Sequence, residues 1–74
     1  MQEYIIDVTK IEEWQTIRDM DSLERAFQKA KSTIVNGAVV RLVRSDRSGA
    51  QQAFDELTTL EELETYRSTV FRYL

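Results

Sequence analysis

The fold is decided by residues 21–44, which read DSLERAFQKAKSTIVNGAVVRLVR. In the first half of this stretch apolar residues recur at the spacing i, i+3, i+4, i+7 and i+11, which is that of one helical face: Leu23, Ala26, Phe27, Ala30 and Ile34. Asp21 and Ser22 are both good N-cap residues, and Asn36-Gly37 supplies the left-handed residue that ends a helix. The pattern predicts a helix from Asp21 or Ser22 to Asn36.

A β-hairpin and a second helix are predicted after this helix. Residues 38–44 are rich in β-branched side chains and predict a strand. Residues 45–49 are typical of a turn, in which Gly49 can adopt a positive φ, and residues 50–56 can return as a second strand. Residues 58–62 then combine a Thr cap with acidic residues where the helix dipole favours them, so we expect a helix from there to the end of the chain.

The N-terminal segment gives a less uniform pattern. Residues 4–8 predict a short strand, whereas residues 12–20 fit either a strand or a helix. A chain of 74 residues is the size of one domain. We therefore predict a single α+β domain over residues 1–74, with two helices flanking a β-hairpin and an additional N-terminal strand. Residues 1–20 form the N-terminal extension or strand, and residues 21–74 form the helix–hairpin–helix core.

The predicted core collects the apolar residues of these elements. Its members are Ile5, Ile6, Trp14, Ile17, Leu23, Phe27, Ala30, Ile34, Val40, Leu42, Phe54, Leu57, Leu60, Leu63, Val70 and Phe71. A domain of this size draws roughly 3–5 kcal/mol from one core, and the chain has no cysteine to add a disulfide. Association with itself or with a partner is the economical way to bury more apolar surface.

The composition argues against an enzyme. The chain contains no Cys, His or Pro, so it lacks thiol nucleophiles, imidazole acid–base chemistry, serine triads and the usual zinc ligands. No combination of nucleophile, base and oxyanion donor can be named. The acidic residues after Thr59 are typical of the first turn of a solvated helix. We predict no catalytic residue, no metal site and no cofactor.

Charge is distributed unevenly along the chain, whose net charge is −3. Residues 1–20 and residues 50–74 each carry five acidic and two basic side chains. Residues 21–49 carry three acidic and six basic side chains. Such segregation can steer the acidic end of one copy towards the basic middle of the next, although small domains also show uneven charge by chance. Protein contact or self-association is therefore the first prediction for a partner.

Two sets of residues are candidates for partner binding. One is the hairpin arginines Arg41, Arg44 and Arg47, which stand near Lys29 and Lys31 in sequence. These arginines fit an acidic protein partner or a merely solvated hairpin, and in second place nucleic acid, because arginine contacts phosphates and guanine edges. A small nucleic-acid-binding regulator is thus the alternative function.

The other set is the apolar end of the chain, Val70, Phe71 and Leu74. Contiguous apolar residues can mark an interaction site, and they can equally fold back on the hairpin.

Residues 26–30 (AFQKA), 36–40 (NGAVV) and 58–63 (TTLEEL) together resemble the small head-to-tail joining, or connector, proteins of tailed bacteriophages. The resemblance covers about residues 22–72 and lies in the order and spacing of the elements. It implies two helices flanking a β-hairpin and a non-enzymatic subunit that assembles in a ring at the portal and contacts the next tail component. The contact candidates would again be Arg41, Arg44 and Arg47, with the C-terminal apolar residues named above.

Membrane insertion and export are not predicted. No stretch approaches the roughly 20 apolar residues of a membrane span. The first residues are acidic and lack the basic region of a signal peptide. We predict a cytoplasmic protein, or a virion protein if the resemblance holds, that acts as a protein-interaction or assembly module.

Overall fold

A computed structural model describes residues 3–72. Its elements follow the order β1 (Glu3–Asp7), α1 (Val8–Ile17), α2 (Met20–Val35), β2 (Val39–Ser45), β3 (Gln51–Leu57) and α3 (Leu60–Phe71). The strands form one sheet in the order β1-β2-β3, in which β1 runs parallel to β2 and β3 runs antiparallel to it. The α+β class is confirmed. The helices do not simply flank the hairpin, because α1 joins α2 and α3 on the same core.

Strand β1 and helix α1 contribute Ile6, Val8 and Ile11 to the core. The register of β1 against β2 aligns Ile6 with Leu42, and both side chains are buried. Residues 12–20, for which the sequence fitted either a strand or a helix, form the end of α1, a short turn and the start of α2. Helix α1 begins where the Asp7 carboxylate accepts a hydrogen bond from the Thr9 N–H at 2.9 Å. It buries Val8 and Ile11 and ends at Ile17, and its C-cap is Arg18, a non-glycine residue with φ of 56°.

Helix α2 begins earlier than predicted. Its N-cap is Asp19, so the prediction that Asp21 or Ser22 caps the helix is wrong. The Asp19 carboxylate accepts hydrogen bonds from both the backbone N–H and the hydroxyl of Ser22, at 3.1 and 2.7 Å, which places Ser22 inside the first turn. The helix ends at Val35, and Gly37 adopts the expected left-handed conformation with φ of 84°.

The hairpin turn is organised by one carboxylate. Asp46 accepts hydrogen bonds from the backbone N–H groups of Ser48 and Ala50 and from the Ser48 hydroxyl. These bonds, that of the Ser48 hydroxyl foremost, lower the pKa of Asp46. Gly49 has φ of 86°, as the turn composition predicts. The strands that flank the turn are those expected from the sequence, each shifted by one residue.

The predicted core is largely confirmed. Its buried members are Ile6, Leu23, Phe27, Ala30, Val40, Leu42, Leu57, Leu63 and Val70, and its partly buried members are Trp14, Ile34 and Phe71. Val8, Ile11, Ala26 and Val43 are buried as well. Four predicted members are exposed instead: Ile5, Ile17, Phe54 and Leu60. Ile5 is exposed because neighbouring residues of a strand point to opposite sides, and Ile6 already occupies the side that faces the helices.

Helices α2 and α3 pack through aromatic side chains. The ring of Phe27 lies 5.7 Å, between centroids, from the rings of both Tyr66 and Phe71. The Arg67 guanidinium lies 4.8 Å above the Phe71 ring and 3.5 Å from the Glu24 carboxylate of α2. Helix α3 is thereby fixed against α2 rather than over the outer strand β3.

Candidate interaction surface along strand β3

Strand β3 is exposed over almost its whole length. Six consecutive residues, 51–56, are exposed, and Leu57 alone is buried. Helix α3 reaches the core through Leu63 and Val70, so it covers only the end of the strand. Within residues 3–72 no strand pairs with the outer edge of β3. An exposed edge strand presents backbone N–H and C=O groups that can pair with another chain.

An open groove of about 360 Å³ lies between β3 and α3. Its apolar lining consists of Leu42, Leu57 and Tyr66. Its polar lining consists of Asp55, Glu56, Glu62, Thr65 and Thr69. The groove therefore combines an apolar floor with the carboxylates of Asp55 and Glu62, beside a strand edge. The Glu56 carboxylate points to the opposite side of the sheet, where it meets Arg41.

The capping box of α3 positions one of these carboxylates. Glu62 accepts hydrogen bonds from the backbone N–H groups of Thr58 and Thr59 at 2.9 and 3.1 Å, while the Thr59 hydroxyl accepts one from the Glu62 N–H. These hydrogen bonds, led by that of the Thr58 N–H, lower the pKa of Glu62. The Glu62 carboxylate is thus held in place and ionised at neutral pH.

The carboxylates of the neighbouring residues Asp55 and Glu56 differ in their partners. Asp55 accepts a hydrogen bond from the Glu56 N–H at 2.8 Å, and the Glu56 carboxylate lies 3.3 Å from Arg41. Within residues 3–72 neither Asp55 nor Glu62 forms an ion pair. The polar side of the groove is therefore negatively charged.

Tyr66 contributes a neutral ring to the floor of the groove. Burial, with a smaller contribution from the nearby Glu12 carboxylate, raises the pKa of Tyr66 to about 12. The phenol therefore keeps its proton throughout the neutral range.

A β-bulge interrupts the strand beside the groove. Leu42 pairs with Asp55 and Val43 with Ala53, so Phe54 has no counterpart on β2. The Phe54 side chain is 58 % exposed. Bulges re-aim side chains and limit regular pairing along an edge. The bulge thus interrupts the regular alternation of side chains along β3 and leaves an aromatic ring in solvent.

The hairpin arginines lie on different sides of the molecule. Arg41 lies between the carboxylates of Glu3 and Glu56, 3.3 Å from each, on the side of the sheet away from the helices. Arg44 lies 2.7 Å from Glu12 of α1, and this hydrogen bond raises its pKa. Arg47 is exposed in the turn. The basic middle of the sequence is thus neutralised in part by its own acidic ends.

The C-terminal candidates are used by the fold. Val70 is 4 % exposed and belongs to the core, and the Phe71 ring packs on Phe27. Val70 is therefore internal, whereas Phe71 is partly buried against α2. Leu74 lies outside the described residues.

The groove was not predicted from the sequence because its lining comes from β2, β3 and α3. One local feature does point to it: residues 51–56, QQAFDE, place a single aromatic residue within a polar strand.

Among residues 3–72 no group of three or more acidic side chains is arranged to hold a metal ion, and no helix has the length and apolar character to cross a membrane.

Comparisons with protein-family models, curated proteins and solved structures give no significant match.

Proposed function

We propose that this chain is a non-enzymatic protein-interaction module whose partner binds along β3. The observation that carries the proposal is the exposure of residues 51–56 beside the groove between β3 and α3. An extended segment can pair with an exposed strand edge through backbone hydrogen bonds and place side chains in an adjoining groove. On this proposal the backbone of β3 contributes affinity and the groove contributes specificity.

The arrangement of the arginines also supports protein binding over the nucleic-acid alternative. A hairpin that enters a DNA groove needs its cationic side chains on one surface. Here Arg41 and Arg44 point to opposite sides of the sheet, and each lies next to carboxylates of its own chain. These carboxylates would repel the phosphate backbone.

A selection from a library of random peptides tests the proposal. We expect peptides that bind the wild-type chain to lose binding to Thr69→Trp, because the indole fills the groove that Thr69 lines. Ser68→Trp is the matched control, since it adds the same ring at the next position of α3, outside this groove. Peptides that bind all three proteins equally well would place the interaction elsewhere and contradict the proposal.

Assembly as a virion head–tail connector is the more specific form of the proposal, and it is carried by the sequence resemblance. It predicts self-association, so the absolute mass measured by light scattering should exceed the 8.7 kDa of one chain and rise with protein concentration. A constant mass of one chain at every concentration would count against a ring that forms without other components.

A further inference from the structure

We infer that the segment bound along β3 is positively charged and carries apolar side chains together with Lys or Arg. This inference rests on the proposed function and specifies the chemistry of the partner.

The apolar requirement follows from the floor of the groove. Leu42 and Leu57 line it although both are almost completely buried, with 3 % and 5 % exposure, so only the edge of each side chain is accessible. Tyr66 supplies a ring whose hydroxyl stays neutral. A partner side chain entering the groove meets this surface and gains by leaving water only if it is itself apolar.

The charge requirement follows from the carboxylates of the groove. Those of Asp55 and Glu62 face it, whereas the Glu56 carboxylate meets Arg41 on the opposite side of the sheet. Lys or Arg side chains on a partner would interact with Asp55 and Glu62, which lack an ion-pair partner within residues 3–72. An acidic partner would meet like charges at the same positions, which costs binding energy and excludes it.

A second groove of the molecule is not lined by a single sign of charge. The groove of about 520 Å³ at the start of β1 is lined by both Glu3 and Lys29, so it presents both signs of charge. In the β3 groove every titratable lining residue other than the neutral Tyr66 is a carboxylate. Selection for a basic segment is therefore a property of the β3 groove rather than of the molecular surface in general.

Two synthetic peptides of the same length as β3 test the inference, a Lys-Val peptide built from Lys and Val and a Glu-Val peptide in which each Lys is replaced by Glu. Each carries a fluorophore, and binding to the full chain is measured by fluorescence anisotropy. We expect the Lys-Val peptide to bind at least about tenfold more tightly than the Glu-Val peptide, a difference of about 1.4 kcal/mol. We expect this preference to shrink between about 50 mM and about 300 mM salt.

Variants separate a local effect from the net charge of the protein. Asp55→Lys should weaken binding of the Lys-Val peptide about tenfold. Glu13→Lys makes the same change in charge on the exposed face of α1, outside the lining of the groove, and should leave the affinity within about twofold. Equal weakening by both variants would show general attraction to an acidic protein and would overturn the inference.

The remaining outcomes distinguish the inference from the proposed function. Tighter binding of the Glu-Val peptide, lost in Thr69→Trp and kept in Ser68→Trp, would overturn the inference and leave the proposed function standing. If neither peptide binds and the random library yields no groove-dependent peptide, both the inference and the proposed function fail.

Discussion

Strands β2 and β3 are the two arms of one hairpin, yet they have opposite environments. Each has seven residues, but β2 buries three of its side chains and β3 buries only Leu57. Strand β2 has a neighbour on both edges and helices on one side, whereas β3 has a neighbour on one edge only. The composition of the two strands follows this difference, since β2 reads VVRLVRS and β3 reads QQAFDEL. A strand's position in the sheet, rather than its hairpin partner, therefore decides which side chains it needs.

The largest expected effect comes from removing one apolar side chain from each arm. Leu42→Ala in β2 should lower the free energy of unfolding by about 2–5 kcal/mol, because it leaves a cavity in the core. Phe54→Ala in β3 should lower it by no more than about 0.5 kcal/mol, because that side chain is mostly in solvent. Urea denaturation of both variants measures the difference. A loss for Phe54→Ala as large as that for Leu42→Ala would mean that β3 is as firmly packed as β2.

The turn that joins the two arms should come next in size. Gly49→Ala should lower the free energy of unfolding by about 1–2 kcal/mol, because an L-residue is strained at the positive φ that Gly49 adopts. A Cβ at this position meets no atom within 4 Å, so the effect is that of the backbone alone. Arg47→Ala in the same turn is the control and should change stability by less than about 0.5 kcal/mol. Similar losses in the two variants would contradict the assigned role of the glycine.

The next prediction concerns the capping box at the start of α3, the helix that follows β3. Thr59→Ala should lower the free energy of unfolding by about 1 kcal/mol, because it removes the hydroxyl that accepts the Glu62 N–H. Ser68→Ala, an exposed change within the same helix, should cause no loss. Thermal unfolding followed by circular dichroism compares the two. Equal stability of Thr59→Ala and the wild type would mean that the capping box does not stabilise the start of α3.

The smallest effect is confined to alkaline pH and concerns Tyr66. Its pKa is raised to about 12 in the folded chain against the ordinary 10.0, so the folded state retains a proton that the unfolded state loses first. The corresponding stability is fully present below pH 10 and declines as the pH rises from there towards 12. Tyr66→Phe should therefore lose less stability than the wild type between about pH 9 and about pH 11.

Urea denaturation at the two pH values measures this difference. Tyr4→Phe is a second variant for the same measurement, because burial also raises the pKa of Tyr4. Identical pH dependence in Tyr66→Phe and the wild type would show that the phenol is solvated in the folded chain.

Elements with local signals could be predicted from the sequence. The apolar stripe of α2 and the Thr59 cap of α3 act within a few residues, so their patterns are visible without knowledge of the fold. Helix α1 has no such stripe, since it buries only Val8 and Ile11, and residues 12–20 therefore fitted two structures. The cap at Asp19 was missed because three successive candidates, Asp19, Asp21 and Ser22, stand within four residues and local preference does not choose among them.

The candidate site could not be predicted in the same way. Its lining depends on β3 being an edge strand and on α3 packing against α2 through Phe27. The hairpin arginines show the same limitation, because the sequence displays them as a basic cluster while Arg44 meets Glu12 across 32 positions. Charges that are far apart in sequence neutralise each other only once the chain is folded.

By itself the sequence determined the α+β class, the hairpin with its glycine turn, and most of the core, because periodicity, capping and turn chemistry are local properties of the chain. Only the tertiary structure decided that β1 pairs in parallel with β2, that Phe54 is exposed, and that an acidic groove with an apolar floor lies beside an exposed strand. The physical reason is that strand order and helix packing depend on contacts between distant residues, which form only when the whole core is buried at once.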